Sequence, residues 1–88
     1  MRVFSLQIMK EDFERPYGFC LMRLLEKYDK YGLTYRDNKN INYYLKRLKE
    51  EIEEFEKNPD FDEARDIANF ALMLVYHLQP KKKGTESS

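Results

Sequence analysis

The stretch "EEIEEFEKNPDFDEARDIANF", residues 50–70, decides the fold, because it places carboxylates on both sides of a short break. Proline is favoured at the first position of a helix, so Asn58 as the N-cap and Pro59 as the first residue predict a new helix after the break. The alternative start is a capping box between Asp60 and Glu63. Very few residues then separate this helix from the preceding one, so the two must form an antiparallel hairpin. Its carboxylates either form a solvated surface or surround a cation.

Apolar residues repeat at helical spacing on both sides of the break. Those before it recur at intervals of four, three, four and three: Ile41, Leu45, Leu48, Ile52 and Phe55. The segment after it, "IANFALMLVYHL", is apolar on nearly every side and precedes Pro80, so we expect it to be buried from more than one direction. The sequence therefore predicts an all-α helical bundle whose hairpin comprises about residues 40–56 and 59–79.

The upstream segment predicts one more helix. Pro16 suits a first helical position, and apolar residues then recur at helical spacing until Gly32 can end the helix. The polar segment that follows reads as a loop, in which Asn38 or Asn40 can cap the next helix. Residues 1–12 are compatible with a strand or a helix, and their conformation stays open.

Composition limits the functional classes. Lys plus Arg and Asp plus Glu number 16 each, so no net charge recruits nucleic acid or an anionic membrane. A single cysteine, no signal peptide and no long apolar run predict a cytoplasmic protein without a membrane span. We expect one domain over residues 1–79 and a disordered, basic and polar tail over residues 80–88. A chain of 88 residues with an apolar last helix also predicts a homodimer or homotetramer, with that helix near the interface.

The acidic residues of the hairpin fall into two pairs. Glu51 and Glu54 share one helical face, as do Glu63 and Asp66, and the two pairs lie at similar distances from the turn. Four carboxylates can thus converge from neighbouring helices. Oxygen ligands without Cys or His suit Mg²⁺ or Mn²⁺ rather than zinc.

The same residues carry a family resemblance. "LKEEIEEF" followed by "EARDIANFALML" resembles the MazG-like all-α nucleotide pyrophosphohydrolases, whose motifs are EExxE and ExxD. The resemblance covers roughly residues 25–76. It implies an oligomeric helical bundle that uses Mg²⁺ to cleave a nucleoside triphosphate to the monophosphate and pyrophosphate.

The resemblance also implies roles for single residues. The metal would be held by Glu51, Glu54, Glu63 and Asp66. Glu50 would orient water or accept its proton. One of the metal ligands, such as Glu51, could accept the proton instead. Asn69 would contact the nucleotide, and Lys46 and Arg47 are candidates for holding its phosphates. The alternative is a non-catalytic helical oligomerisation or interaction module whose acidic hairpin is a solvated surface.

Overall fold

The computed structural model describes residues 2–80, and side chains from Phe4 onward. Four helices follow one another along this part of the chain, which contains no strand: α1 (Arg2–Tyr31), α2 (Thr34–Asp37), α3 (Ile41–Lys57) and α4 (Phe61–Leu78). Helices α3 and α4 pack against each other along their length, and the second half of α1 packs against α4. The prediction of an all-α fold with an antiparallel hairpin is confirmed.

Helix α1 is about twice as long as the sequence predicted. It begins at Arg2 and continues through Pro16, so Pro16 is an interior residue and its prediction as the helix start is wrong. A proline inside a helix removes one backbone hydrogen bond and bends the helix without necessarily ending it. The predicted end is confirmed, since Gly32 follows the helix with φ +59°, a conformation that favours glycine.

Asn40, one of the two residues predicted to cap this helix, is the N-cap of α3. Its side-chain oxygen accepts hydrogen bonds from the backbone amides of Asn42 (3.0 Å) and Tyr43 (3.4 Å). Asn38 instead ends α2 and accepts a hydrogen bond from the Asn40 amide through its own side chain. The segment that was predicted as a loop therefore contains one short helix, α2, between two turns.

Asp60, and not Asn58, caps the start of α4. The Asp60 carboxylate accepts a hydrogen bond from the backbone amide of Glu63 at 2.8 Å, and the helix begins at Phe61. Asn58 ends α3, because its amide still donates to the Glu54 carbonyl at 2.9 Å. The predicted start at Asn58 and Pro59 is wrong by two residues, because a carboxylate at the N-cap satisfies a free amide and also interacts favourably with the helix dipole.

Few apolar side chains are fully enclosed in the described part of the chain. Tyr44 is the one apolar residue buried there, stacked on the ring of His77, with its hydroxyl 2.5 Å from the Asn38 carbonyl oxygen. The apolar residues in the middle of α4 are half-buried, and Val75 and Leu78 near its end are exposed. The expected burial of α4 from several directions is thus incomplete in a single copy.

Two further expectations concern the ends of the chain and the membrane. The predicted disordered tail lies almost wholly outside the described residues, which end at Pro80. Within the described range, every helix is too short or too polar to cross a bilayer.

Candidate metal centre

Three carboxylates converge where α3, α4 and α1 meet. Glu51 comes from α3, and Glu63 and Asp66 lie three residues apart on α4. Each of the three offers an oxygen that lies within 4.8 Å of the oxygens of the other two. The hairpin explains this arrangement, because residues at similar distances from the turn face each other across the two antiparallel helices.

Glu51 is buried, with 6% of its surface exposed, and it is held by a neighbour on its own helix. The Arg47 guanidinium donates to Glu51 Oε2 at 3.0 Å and also contacts Glu50. The same guanidinium lies over the ring of Phe70, 5.0 Å from its centroid. Arg47 is therefore fixed from three sides, and it neutralises carboxylates rather than extending toward solvent.

Glu63 is the carboxylate with an unmet hydrogen-bonding need. Its Oε1 is buried and finds no donor among the described residues. Two ionised carboxylates cannot hydrogen-bond each other, so the contact between Glu63 and Glu51 becomes a hydrogen bond only when one of them carries a proton. That hydrogen bond, together with burial and the nearby charges of Glu51, Glu54 and Asp66, raises the pKa of Glu63 to about 7.

Asp66 is paired with cations from α1. Arg23 Nε donates to Oδ1 at 2.9 Å and Arg23 Nη2 donates to Oδ2 at 3.2 Å, while Lys27 Nζ lies 3.9 Å from Oδ2. The hydrogen bond to Asp66 raises the pKa of Arg23 above its usual value, against the lowering effect of burial. This two-point ion pair joins α1 to the hairpin at the carboxylate cluster.

The remaining predicted site residues lie around this cluster or away from it. Glu54, the fourth predicted ligand, is exposed and lies outside the group of three, although its charge still raises the pKa of Glu63. Glu50 is half-buried and pairs with Arg47, and Lys46 is exposed, 4.0 Å from Glu50. Asn69 is buried and donates to the Cys20 carbonyl at 2.9 Å, so it packs α4 against α1.

Sequence reasoning did not identify Arg23 as part of the site. Arg23 is a charged residue within the apolar run "FCLMRLL". A cation on a packed helix face needs a partner of opposite charge, and this could have indicated its role. Lys27 lies one turn further along the same face of α1. The partner of both is Asp66, 43 residues after Arg23, a distance in sequence that no local pattern reveals.

The donor set fits a hard divalent cation. All three side chains offer oxygen, which Mg²⁺ and Mn²⁺ prefer, and Glu63 Oε1 is a buried acceptor still in need of a positive partner. Asp66 is already held by Arg23, but each carboxylate oxygen has two lone pairs and can accept from Arg23 while also facing a cation. The geometry thus leaves Glu51 and Glu63 as the most available ligands and Asp66 as a shared one.

The fold and the cluster together define a small all-α protein with a carboxylate site on a helical hairpin. In comparisons with known proteins, no family model, no curated protein and no solved structure matches this chain.

Proposed function

We propose that this chain is a Mg²⁺-dependent nucleoside triphosphate pyrophosphohydrolase, which converts a triphosphate and water to a nucleoside monophosphate and pyrophosphate. The observation that carries the proposal is the convergence of Glu51, Glu63 and Asp66 on the hairpin, with one buried carboxylate oxygen lacking a donor. The motifs that supply these residues are the ones that resemble the MazG-like family. Geometry and motif therefore support the same reaction class.

The chain's own residues have separate roles in this proposal. Glu51, Glu63 and Asp66 hold the divalent cation, which when bound neutralises phosphate charge and activates water for attack on the α-phosphorus. Glu50 is partly accessible and shares Arg47 with Glu51, and we assign it the role of orienting water or accepting its proton.

Two arginines at the cluster can serve the phosphates. Arg23 and Arg47 both contact carboxylates of the site, and a guanidinium can exchange a carboxylate for a phosphate with the same two-point geometry. Arg23 directs Nε and Nη2 at Asp66, so the same two donors would reach a phosphate bound beside that carboxylate. Arg23 is therefore a stronger candidate than Lys46, which is exposed and lies 4.0 Å from Glu50.

The experiment that tests the proposal is an assay of pyrophosphate release from a panel of canonical and modified triphosphates with Mg²⁺. Glu63→Gln removes a ligand charge at almost constant volume, and we expect it to reduce turnover at least ~100-fold. Glu53→Gln is the matched control, because Glu53 is an exposed glutamate of α3 outside the cluster. Equal rates for the two variants would refute the assignment of the site.

A second candidate function is supported by one observation. Two of the three carboxylates already have cationic partners, Arg47 for Glu51 and Arg23 for Asp66, so the cluster could be an ion-pair network that joins α1 to the hairpin. The chain would then be a non-catalytic helical interaction module. The two functions are separated by metal binding, because a purely structural network has no reason to respond to Mg²⁺ or Mn²⁺.

A further inference from the structure

The first half of α1 is a helix with an apolar surface on which no other described segment of the chain packs. Every side chain from Phe4 to Tyr17 is exposed, whereas Phe19, Cys20 and Arg23 in the second half contact α4. We call residues 4–17 the arm. Helical segments of about this length gain most of their stability from burial of one face, so a partner on the arm would stabilise it.

One face of the arm carries a continuous apolar stripe. Its members recur at spacings of three, four and four, and each is between 53% and 64% exposed: Leu6, Met9, Phe13 and Tyr17. Side chains of this size exposed to this extent present roughly 100 Å² each, which gives about 400 Å² per chain. That is about half of the ~800 Å² that each partner buries in a standard protein interface. The stripe is thus large enough to be the centre of an interface.

Two of the charges beside the stripe are complementary to each other. Lys10 and Glu14 flank it one turn apart, and both side chains are more than 60% exposed. In an antiparallel pair of arms, the register that places Phe13 of one copy between Met9 and Phe13 of the other also sets Lys10 opposite Glu14. A two-fold axis repeats this pair, so each dimer gains two such contacts.

We propose that the arm is a dimerisation element that pairs antiparallel with the arm of a second copy of this chain. The chain has no net charge, so two copies approach without long-range repulsion. The sequence predicted an interface at the last helix, whereas the exposed apolar stripe lies on α1. Dimerisation through the arm is independent of the catalytic proposal, because the arm contains none of the cluster residues.

The first test is the mass of the full chain in solution, measured by light scattering at micromolar concentration. We expect a dimer, about twice the 10.8 kDa of one chain. Phe13→Glu places a charge at the centre of the stripe and should yield a monomer. The matched control is Leu25→Glu, because Leu25 is also an exposed apolar residue of α1 but lies outside the arm. A monomeric parent chain, or a dimer that Phe13→Glu leaves intact, would overturn the proposal.

The second test distinguishes the antiparallel register from other ways of pairing two arms. It compares two variants and their mixture, so it does not depend on the folding of a single variant. In a dimer of either single variant, Lys10→Glu or Glu14→Lys, like charges lie opposite each other at both sites. Each variant alone should therefore raise the dimer dissociation constant about tenfold. An equimolar mixture of the two variants restores both opposite-charge pairs, and we expect its affinity to return to within about threefold of the parent. A mixture no tighter than the single variants would contradict the antiparallel register.

Discussion

Arg23 donates two hydrogen bonds to the Asp66 carboxylate, from Nε at 2.9 Å and from Nη2 at 3.2 Å. The pair joins α1 to α4 at the point where a cation would be bound. A divalent metal would share the Asp66 carboxylate with Arg23, and because the two cations repel each other, each weakens the binding of the other. The competition leads to opposite expectations for stability with and without metal.

Replacing Arg23 should lower stability without metal and increase the response to metal. Arg23→Gln leaves the mostly buried Asp66 without its main cation, which we expect to destabilise the metal-free protein by about 1–3 kcal/mol. With that cation gone, Asp66 is free to bind Mn²⁺, so the rise in Tm on adding Mn²⁺ should exceed that of the parent.

The matched control for Arg23→Gln is Arg36→Gln on α2, where the arginine is exposed and has no carboxylate partner among the described residues. It should change neither the metal-free Tm nor the shift with Mn²⁺. A metal-induced shift in Arg23→Gln that is smaller than in the parent would show that Arg23 supports the cation instead of competing with it.

The pKa of Glu63 predicts an unusual pH dependence of stability. Its value of about 7 in the folded protein lies above the ordinary glutamate value of 4.5, so the folded state binds the proton more tightly. The resulting contribution to stability is fully present below about pH 4.5 and is lost as the pH rises to 7 and above. In metal-free protein, this contribution should appear as a Tm that falls from about pH 5 to about pH 8.

Glu63→Gln is the variant that tests this linkage. The side-chain amide that the substitution introduces would donate to Glu51 at any pH, as the protonated carboxyl does, so the fall in Tm should be reduced. Glu53→Gln should retain the behaviour of the parent. The same fall in both variants would mean that another group causes it.

Metal binding should show the opposite pH dependence. Cation ligation requires the ionised form of Glu63, so the affinity for Mg²⁺ or Mn²⁺ should rise as the pH increases through about 7. Isothermal titration at about pH 6 and about pH 8 measures this difference directly. Equal affinities at the two pH values would exclude Glu63 as a ligand.

The hairpin could be predicted from the sequence because its signals are local. Apolar spacing, Asn40 as a cap and Gly32 as a stop all act within a few residues, and each is confirmed. The errors have local causes as well. Pro16 is compatible with the start of a helix or with its interior, and Asp60 and Asn58 are both good N-caps separated by only two residues.

The site could be predicted only in part. The spacing within each helix correctly indicated that Glu51 faces Glu63 and Asp66, because the turn between the helices is short. The partners of these carboxylates on α1 depend on how a third helix crosses the hairpin, and no local pattern specifies that crossing. The nucleotide contact of Asn69, which the resemblance implies, stays a prediction, and the structure adds that its side-chain amide donates to the Cys20 carbonyl.

The most direct test of the proposed function is the fate of water oxygen during hydrolysis of a triphosphate with Mg²⁺. In water labelled with a heavy oxygen isotope, attack on the α-phosphorus places the label in the monophosphate, with unlabelled pyrophosphate as the other product. We predict this pattern for the parent chain and for Glu53→Gln, and its loss in Glu63→Gln. Release of inorganic phosphate in place of pyrophosphate, label in the pyrophosphate, or no hydrolysis of any triphosphate in the panel would contradict it.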